Sequence, residues 1–183
     1  MAGGILILRL ALGLTMAGHG AQKLFGWFGG GGIEGTGKFF QSLGLRPGKV
    51  NALVAGLSEA IGGVLIAAGL LTPLGAAAII GVMVAAIAFV HLRHGFFAQS
   101  GGVEYPLMLA VTAAAIGYVG PGTYSLDHLI GWTLSSAAWG SGAVGLGVVA
   151  AGAVTFVRWA VAQRSARGTV MGVGRRHSRR LAA

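Results

Sequence analysis

Five apolar runs divide this chain, and each is long enough, or nearly so, to cross ~30 Å of hydrocarbon at about 1.5 Å per residue. They cover 5–24, 50–71, 74–92, 105–119 and 137–159. The fourth is the shortest, and a start nearer 102 or a locally thinned bilayer accommodates it. Thr72-Pro73 ends the second run, and Gly120-Pro121-Gly122 ends the fourth. The runs mix Gly, Ala, Leu and Val without period-2 alternation, so helices are expected rather than barrel strands.

Composition agrees on the solvent. Of 183 residues, 55% are hydrophobic and only 9% are charged, with a mean hydropathy of +0.78. A water-soluble domain carries roughly a quarter charged residues. This chain cannot cover itself in water, but lipid can cover it. There is no cysteine, which removes thiolate and persulfide chemistry and Cys-bound metal clusters from the chain itself. Met1-Ala2-Gly3-Gly4 has no cationic n-region, and no cleavage site precedes the first run, so that run is expected to be a retained span.

The net charge of +9 reads as topology rather than as a nucleic-acid surface. Arg158, Arg164, Arg167, Arg175, Arg176, Arg179 and Arg180 crowd the C-terminal tail. The positive-inside rule makes that tail cytoplasmic. Counting back, the 93–104 loop (Arg93, His94) and the 23–49 loop (Lys23, Lys38, Arg46, Lys49) fall on the same side. The opposite loops, 72–73 and 120–136, hold Asp127 and His128 but no Lys or Arg. The expected arrangement is N-out, C-in, in a bacterial inner membrane. Arg9 alone falls outside the pattern. The tail is also expected to touch anionic lipid.

Two shorter segments complete the outline. Ile33, Phe39, Phe40, Leu43 and Leu45 share a helical face within 33–45, which suits an interfacial helix or a re-entrant piece. On the other side, 124–132 reads as another interfacial piece. Ser125 with Asp127 suits a helix start, and Tyr124 and Trp132 suit an aromatic belt. Small residues four apart (Gly13, Ala17, Ala21; Gly56, Ala60; Gly63, Ala67; Gly81, Ala85) let helix backbones approach closely. Bundle packing is the plain meaning of these ridges, and dimerisation the sharper one.

An ionisable group within the bilayer costs about 2.5–3.5 kcal/mol on insertion scales, so each one needs a reason. Glu59 lies near the middle of the second run, and Arg9 one turn into the first. A structural ion pair between Arg9 and Glu59 is one expectation. A proton-handling pair of Glu59 with His19 is the other. His19, Gln22 and Lys23 share one helix face by their i, i+3, i+4 spacing. His91 and His94 end the third run at the same membrane face, and Glu104 enters the fourth. The candidate site is therefore a polar pocket near the inner leaflet, formed by His19, Gln22, Lys23, Glu59, His91 and Glu104. A ligand with carbonyl or hydroxyl groups on an apolar body suits it, and a quinone answers that description. The plain alternatives are that Lys23 snorkels to anchor its helix and that His19 hydrogen-bonds a neighbouring helix. Haem held by His19 and His91 is a weaker expectation, and no metal site is expected. The glycines 29–32 are no phosphate loop, because no strand precedes them and the Walker spacing is missing.

At these residues the chain resembles the DoxX family of bacterial membrane proteins. The resemblance rests on LRLALGLTMAGHGAQKLFGWFGG (8–30), GLSEAIGGVLIAAGLLTPLGA (56–76), FVHLRHGFF (89–97), EYPLML (104–109) and GPGTYSLD (120–127). It covers about residues 5–130. It implies an all-α four-helix membrane bundle at 1–130. The additional transmembrane helix expected at 131–162 and the basic tail at 163–183 lie beyond that core, and nothing about them follows from the resemblance. It also implies association with redox complexes. In some members that is a quinone-linked thiosulfate-oxidising system, and in others a membrane assembly with a sulfurtransferase and a superoxide dismutase. The H-G-x-Q-K motif (His19, Gln22, Lys23), Glu59, His91 and Glu104 are the shared polar positions. With no thiol and no flavin or dinucleotide fingerprint here, a soluble partner at the cytoplasmic face must supply any sulfur-reacting group. Three functions follow: a membrane subunit of an oxidoreductase assembly, a ligand-free scaffold, or a small transporter. The third is disfavoured by the lack of an inverted repeat.

Overall fold

The computed structural model describes residues 2–181, with side chains through Gln163. The arginines of the tail from Arg164 onward lie outside the described side chains. Among the described residues every regular element is helical. The elements run α1 (Ala2–Phe25), α2 (Gly32–Ser42), α3 (Gly48–Ala68), α4 (Thr72–Ala86), α5 (Glu104–Val119), α6 (Leu126–Leu129) and α7 (Ala137–Leu181). Four segments are long and apolar enough to cross a membrane: Ala2–Phe25, Gly48–Ala68, Thr72–His94 and Ala137–Gln163. At 16 residues, α5 is as short as its sequence suggests. Ile7, Leu14, Val64 and Val149 are each more than half exposed. Such a belt of bare aliphatic side chains is stable only against lipid.

Glycine sets the packing of α1 on α3. A Cβ on Gly20 would stand 2.5 Å from Ala60 N, and one on Gly63 would stand 2.5 Å from Ala17 N. Gly13 meets Ala67 in the same way, and Leu24 lies over Gly56. The small-residue ridges are therefore used within the chain, in one antiparallel register that pairs 13 with 67, 17 with 63, 20 with 60 and 24 with 56. Gly81 of α4 faces Gly147 of α7, and Gly117 of α5 faces Ala143. The additional helix thus packs on α4 and α5 through small residues. Leu12, Met16, Ile66, Ile79, Met83, Ala113, Ile116 and Ala143 form the common core.

The helix ends follow local chemistry. α3 stops at Gly69, whose φ of 65° is the left-handed turn that glycine allows most cheaply. Ser125 caps α6 by accepting from His128 N. Beyond Ala86 the third apolar run continues as a π-helical turn, Ile87–His91, with Leu92 N donating to Ile87 O, five residues back. Such a turn widens the helix and turns new side chains inward.

Candidate functional site

The polar residues inside the bundle gather at its two ends. Buried Arg9 (1% exposed) belongs to one end. Its Nε donates to Ile66 O at 3.0 Å, and Nη2 to Ala67 O at 2.8 Å. Its Nη1 donates to Pro121 O at 2.6 Å and Tyr124 O at 2.7 Å. These carbonyls lie where α3 ends and where the chain leaves α5, and Ile66 O also accepts from Gly69 N at 3.1 Å. Asp127, fully buried, works beside it. It accepts from Leu71 N at 2.8 Å, Thr72 N at 3.1 Å and Thr72 Oγ1 at 2.8 Å, and so caps α4. Ser125 begins α6, but Asp127 serves a helix 55 residues earlier.

The expected Arg9–Glu59 pair does not form. In the α1–α3 register the two positions lie about twelve residues apart, or roughly 18 Å at 1.5 Å per residue. That distance is beyond an arginine's reach. Glu59 pairs instead with Lys23. Lys23 Nζ donates to Glu59 Oε1 at 2.9 Å and lies 2.6 Å from Oε2. The one ammonium thus lies against both carboxylate oxygens.

Lys23 and Glu59 help to line a partly open cavity of about 290 Å³ between α2, α3, α4 and α7. Its walls are apolar, with Phe40, Leu45, Val54, Phe89, Ala151 and Val154 prominent. Its polar lining is Lys23, Asn51, Ser58, Glu59 and His91. The π-helical turn carries Phe89, Val90 and His91 onto this wall. Arg158 of α7 lies over the Phe89 ring, 5.1 Å from its centroid. It also touches the α2–α3 turn at Gly44, where a Cβ would be 3.2 Å from its Nε.

Three of the six expected site residues, Lys23, Glu59 and His91, share this cavity. His19 and Gln22 form a separate chain beside it. Tyr105 Oη donates to His19 Nε2 at 3.0 Å, His19 Nδ1 donates to Gln22 Oε1 at 3.1 Å, and Gln22 Nε2 donates to Phe28 O at 3.2 Å. The last bond fixes the amide orientation, and the amide fixes the histidine tautomer. Both ring nitrogens of His19 are thereby engaged, so in this conformation the ring offers no lone pair to an iron or zinc ion. Glu104 is placed elsewhere: it accepts from Ala98 N at 2.8 Å and clasps its own loop. Its depth suggested the pocket, but a carboxylate at a helix start finds the nearest free amide first. Tyr105 was missed because a tyrosine at a helix start reads as an interface anchor. Asn51 and Ser58 were missed because they are not ionisable.

Outside the apolar segments, Lys49 Nζ donates to Glu34 Oε1 at 2.5 Å and fastens α2 to α3. That hydrogen bond, with the Lys49 charge, holds the Glu34 carboxyl below the usual carboxylate range.

An all-helical membrane bundle with a polar-edged cavity near one end is the class that this fold and site define. The DoxX family model matches residues 4–92. A Bacillus subtilis (strain 168) protein named "Putative oxidoreductase CatD" is 32% identical over 127 residues, covering 69% of this chain and 87% of that one. The chain belongs to the DoxX family and is a membrane protein. No solved structure matches it.

Proposed function

We propose that this protein is the integral membrane subunit of an oxidoreductase assembly, and that the α2–α3–α4–α7 cavity takes a quinone-type ligand entering from lipid. The observation that carries this reading is a largely apolar cavity whose lining includes the Lys23–Glu59 ion pair together with Asn51, Ser58 and His91. Ligand sites of this kind combine apolar walls with a few convergent polar groups. The similarity to a protein named as an oxidoreductase supports the redox direction. The charge pattern supports an N-out, C-in orientation, which sets the cavity towards the cytoplasmic leaflet. Since the chain lacks cysteine, sulfur chemistry would belong to soluble partners at that face. A sulfurtransferase and a superoxide dismutase are the partners the family resemblance brings forward.

Purification in mild detergent, followed by solvent extraction and mass spectrometry, tests the ligand. Quinone is expected at near-stoichiometric amounts, and Glu59→Ala is expected to lose it while the protein still inserts. Enzymes that co-purify identify the assembly. A scaffold reading is favoured by one observation, that Lys23 already neutralises Glu59 without a ligand. A preparation that retains partner enzymes but neither carries nor binds quinone would establish that reading instead.

A further inference from the structure

We infer that the gap between α3 and α7 is the port through which the ligand enters from lipid, and that its alkyl tail stays there against α7 while its head lies against α3. The inference rests on the quinone-type reading above and adds the route and the orientation.

The walls of the cavity differ in chemistry. Its polar lining comes from α1, α3 and the π-helical turn: Lys23, then Asn51, Ser58 and Glu59, then His91. α7 contributes Ala150, Ala151 and Val154 and no polar group. A head bearing carbonyl or hydroxyl groups therefore finds partners towards α3. Placed against α7 it would give up hydrogen bonds for nothing. A hydrocarbon tail loses nothing there, and the two alanines leave it room.

The gap follows from how the helices pack. α7 lies along α4 at Gly147 and along α5 at Gly140, while α3 lies against α1 and α4. α3 and α7 share no comparable contact. The groove between them is floored by Gly81, Val82 and Ala85 of α4. Val54 of α3 and Ala150 of α7 line the cavity and are nevertheless exposed, so the cavity opens between these two helices. Val54 lies about 9 Å along α3 from Gly48, and Ala150 about 12 Å along α7 from Arg158, at 1.5 Å per residue. Both positions are in hydrocarbon. Phe39 of α2 is the third exposed lining residue, but the α2 end is crowded. There Phe39 packs against Phe40 with ring centroids 6.0 Å apart, and Arg158 reaches across to Phe89 and Gly44. A tailed amphiphile reaches the α3–α7 gap without leaving the bilayer.

Lipid is as apolar as the α7 wall, so the port is read from the position of the tail and from exchange rate rather than from affinity. The test uses the intact protein in phospholipid nanodiscs and a 2-methyl-1,4-naphthoquinone whose 3-alkyl tail carries a diazirine. Photocrosslinks are mapped by mass spectrometry of proteolytic peptides, with and without excess 2,3-dimethyl-1,4-naphthoquinone as a tailless competitor. Competed crosslinks are expected on α3 around Val54 and on α7 around 150–154. Competed crosslinks that leave α7 unlabelled overturn the inference while leaving the quinone-type site standing. Crosslinks that the competitor does not reduce, or none at all, overturn both. Ala150→Trp narrows the gap and is expected to slow transfer of bound quinone to quinone-free vesicles at least ~10-fold, the effect of about 1.4 kcal/mol on the barrier. Val149→Trp, at an exposed position outside the lining, is expected to leave the rate unchanged. Equal rates in the two variants overturn the port. The wild-type crosslink map decides the matter if Ala150→Trp does not fold.

Discussion

Lys23 and Glu59, from antiparallel helices, form an ion pair at 2.6 Å in which the carboxylate is almost wholly buried and the ammonium partly exposed. That geometry makes the two residues unequal. Glu59 cannot be hydrated without Lys23, whereas Lys23 can be hydrated without Glu59.

Lys23→Ala therefore strands a buried charge and is expected to destabilise by roughly 3 kcal/mol or more. Adding Glu59→Gln to that variant should recover much of the loss. A double-mutant cycle on thermal unfolding in detergent reads the coupling, and simple additivity would contradict the pairing.

Arg9 joins three parts of the chain through four carbonyls. Arg9→Met takes the side-chain donor from Ala67 O, Pro121 O and Tyr124 O, at about 1–3 kcal/mol for each one that finds no other donor, while Ile66 O keeps Gly69 N. Arg9→Lys keeps the charge but cannot match the planar fork, and should restore less than half. Thermal denaturation of the three proteins ranks them.

Gly20 lies where α1 touches α3, whereas a Cβ on Gly18 of the same helix meets nothing within 4 Å. Gly20→Val is expected to destabilise by roughly 1–3 kcal/mol through forced separation of the helices. Gly18→Ala should be neutral or mildly stabilising, since alanine is the better helix former. Equal behaviour of the two in the same unfolding assay would refute the close approach.

The Glu34 carboxyl is held low by Lys49. A group with a depressed folded pKa adds stability above its free value, about 4.3, and loses it as pH falls through the lowered one. The hold of α2 on α3 should be constant from pH 5 to neutrality and weaken below about pH 4, and also in high salt because the pair is exposed. Proteolytic accessibility of the 43–47 turn follows it, and Lys49→Ala should abolish the acid-dependent step.

Ala151 reaches the cavity from α7. Ala151→Phe fills that space and is expected to remove any bound quinone while the bundle stays assembled. Extraction and mass spectrometry of the purified variant check this, and retained ligand would place the quinone elsewhere.

The helices were legible along the chain because a bilayer permits few alternatives to them. Apolar length alone located α1, α3, α4, α5 and the start of α7 to within a few residues, and the 33–45 face anticipated α2. Small-residue spacing anticipated the close approach of α1 and α3. The candidate site was legible only in part. Lys23, Glu59 and His91 all line the one cavity, while Glu104 turned to its own loop and Tyr105 joined His19 unforeseen. The partners of Arg9 and Glu59 were set by register. A shift of one turn in helix register moves a side chain about 5.4 Å along the axis, and a linear sequence does not record which turn faces which.

Residue types and their order by themselves determined that this chain lives in lipid, that it is helical, and that its few charges need partners. Hydrophobic length and the cost of unbonded backbone in hydrocarbon dictate that much locally. Which charges meet, and that α7 helps to line the cavity, were decided by the tertiary structure. Those outcomes depend on contacts between residues far apart in the chain, where glycine lets two helices come close and fixes their register.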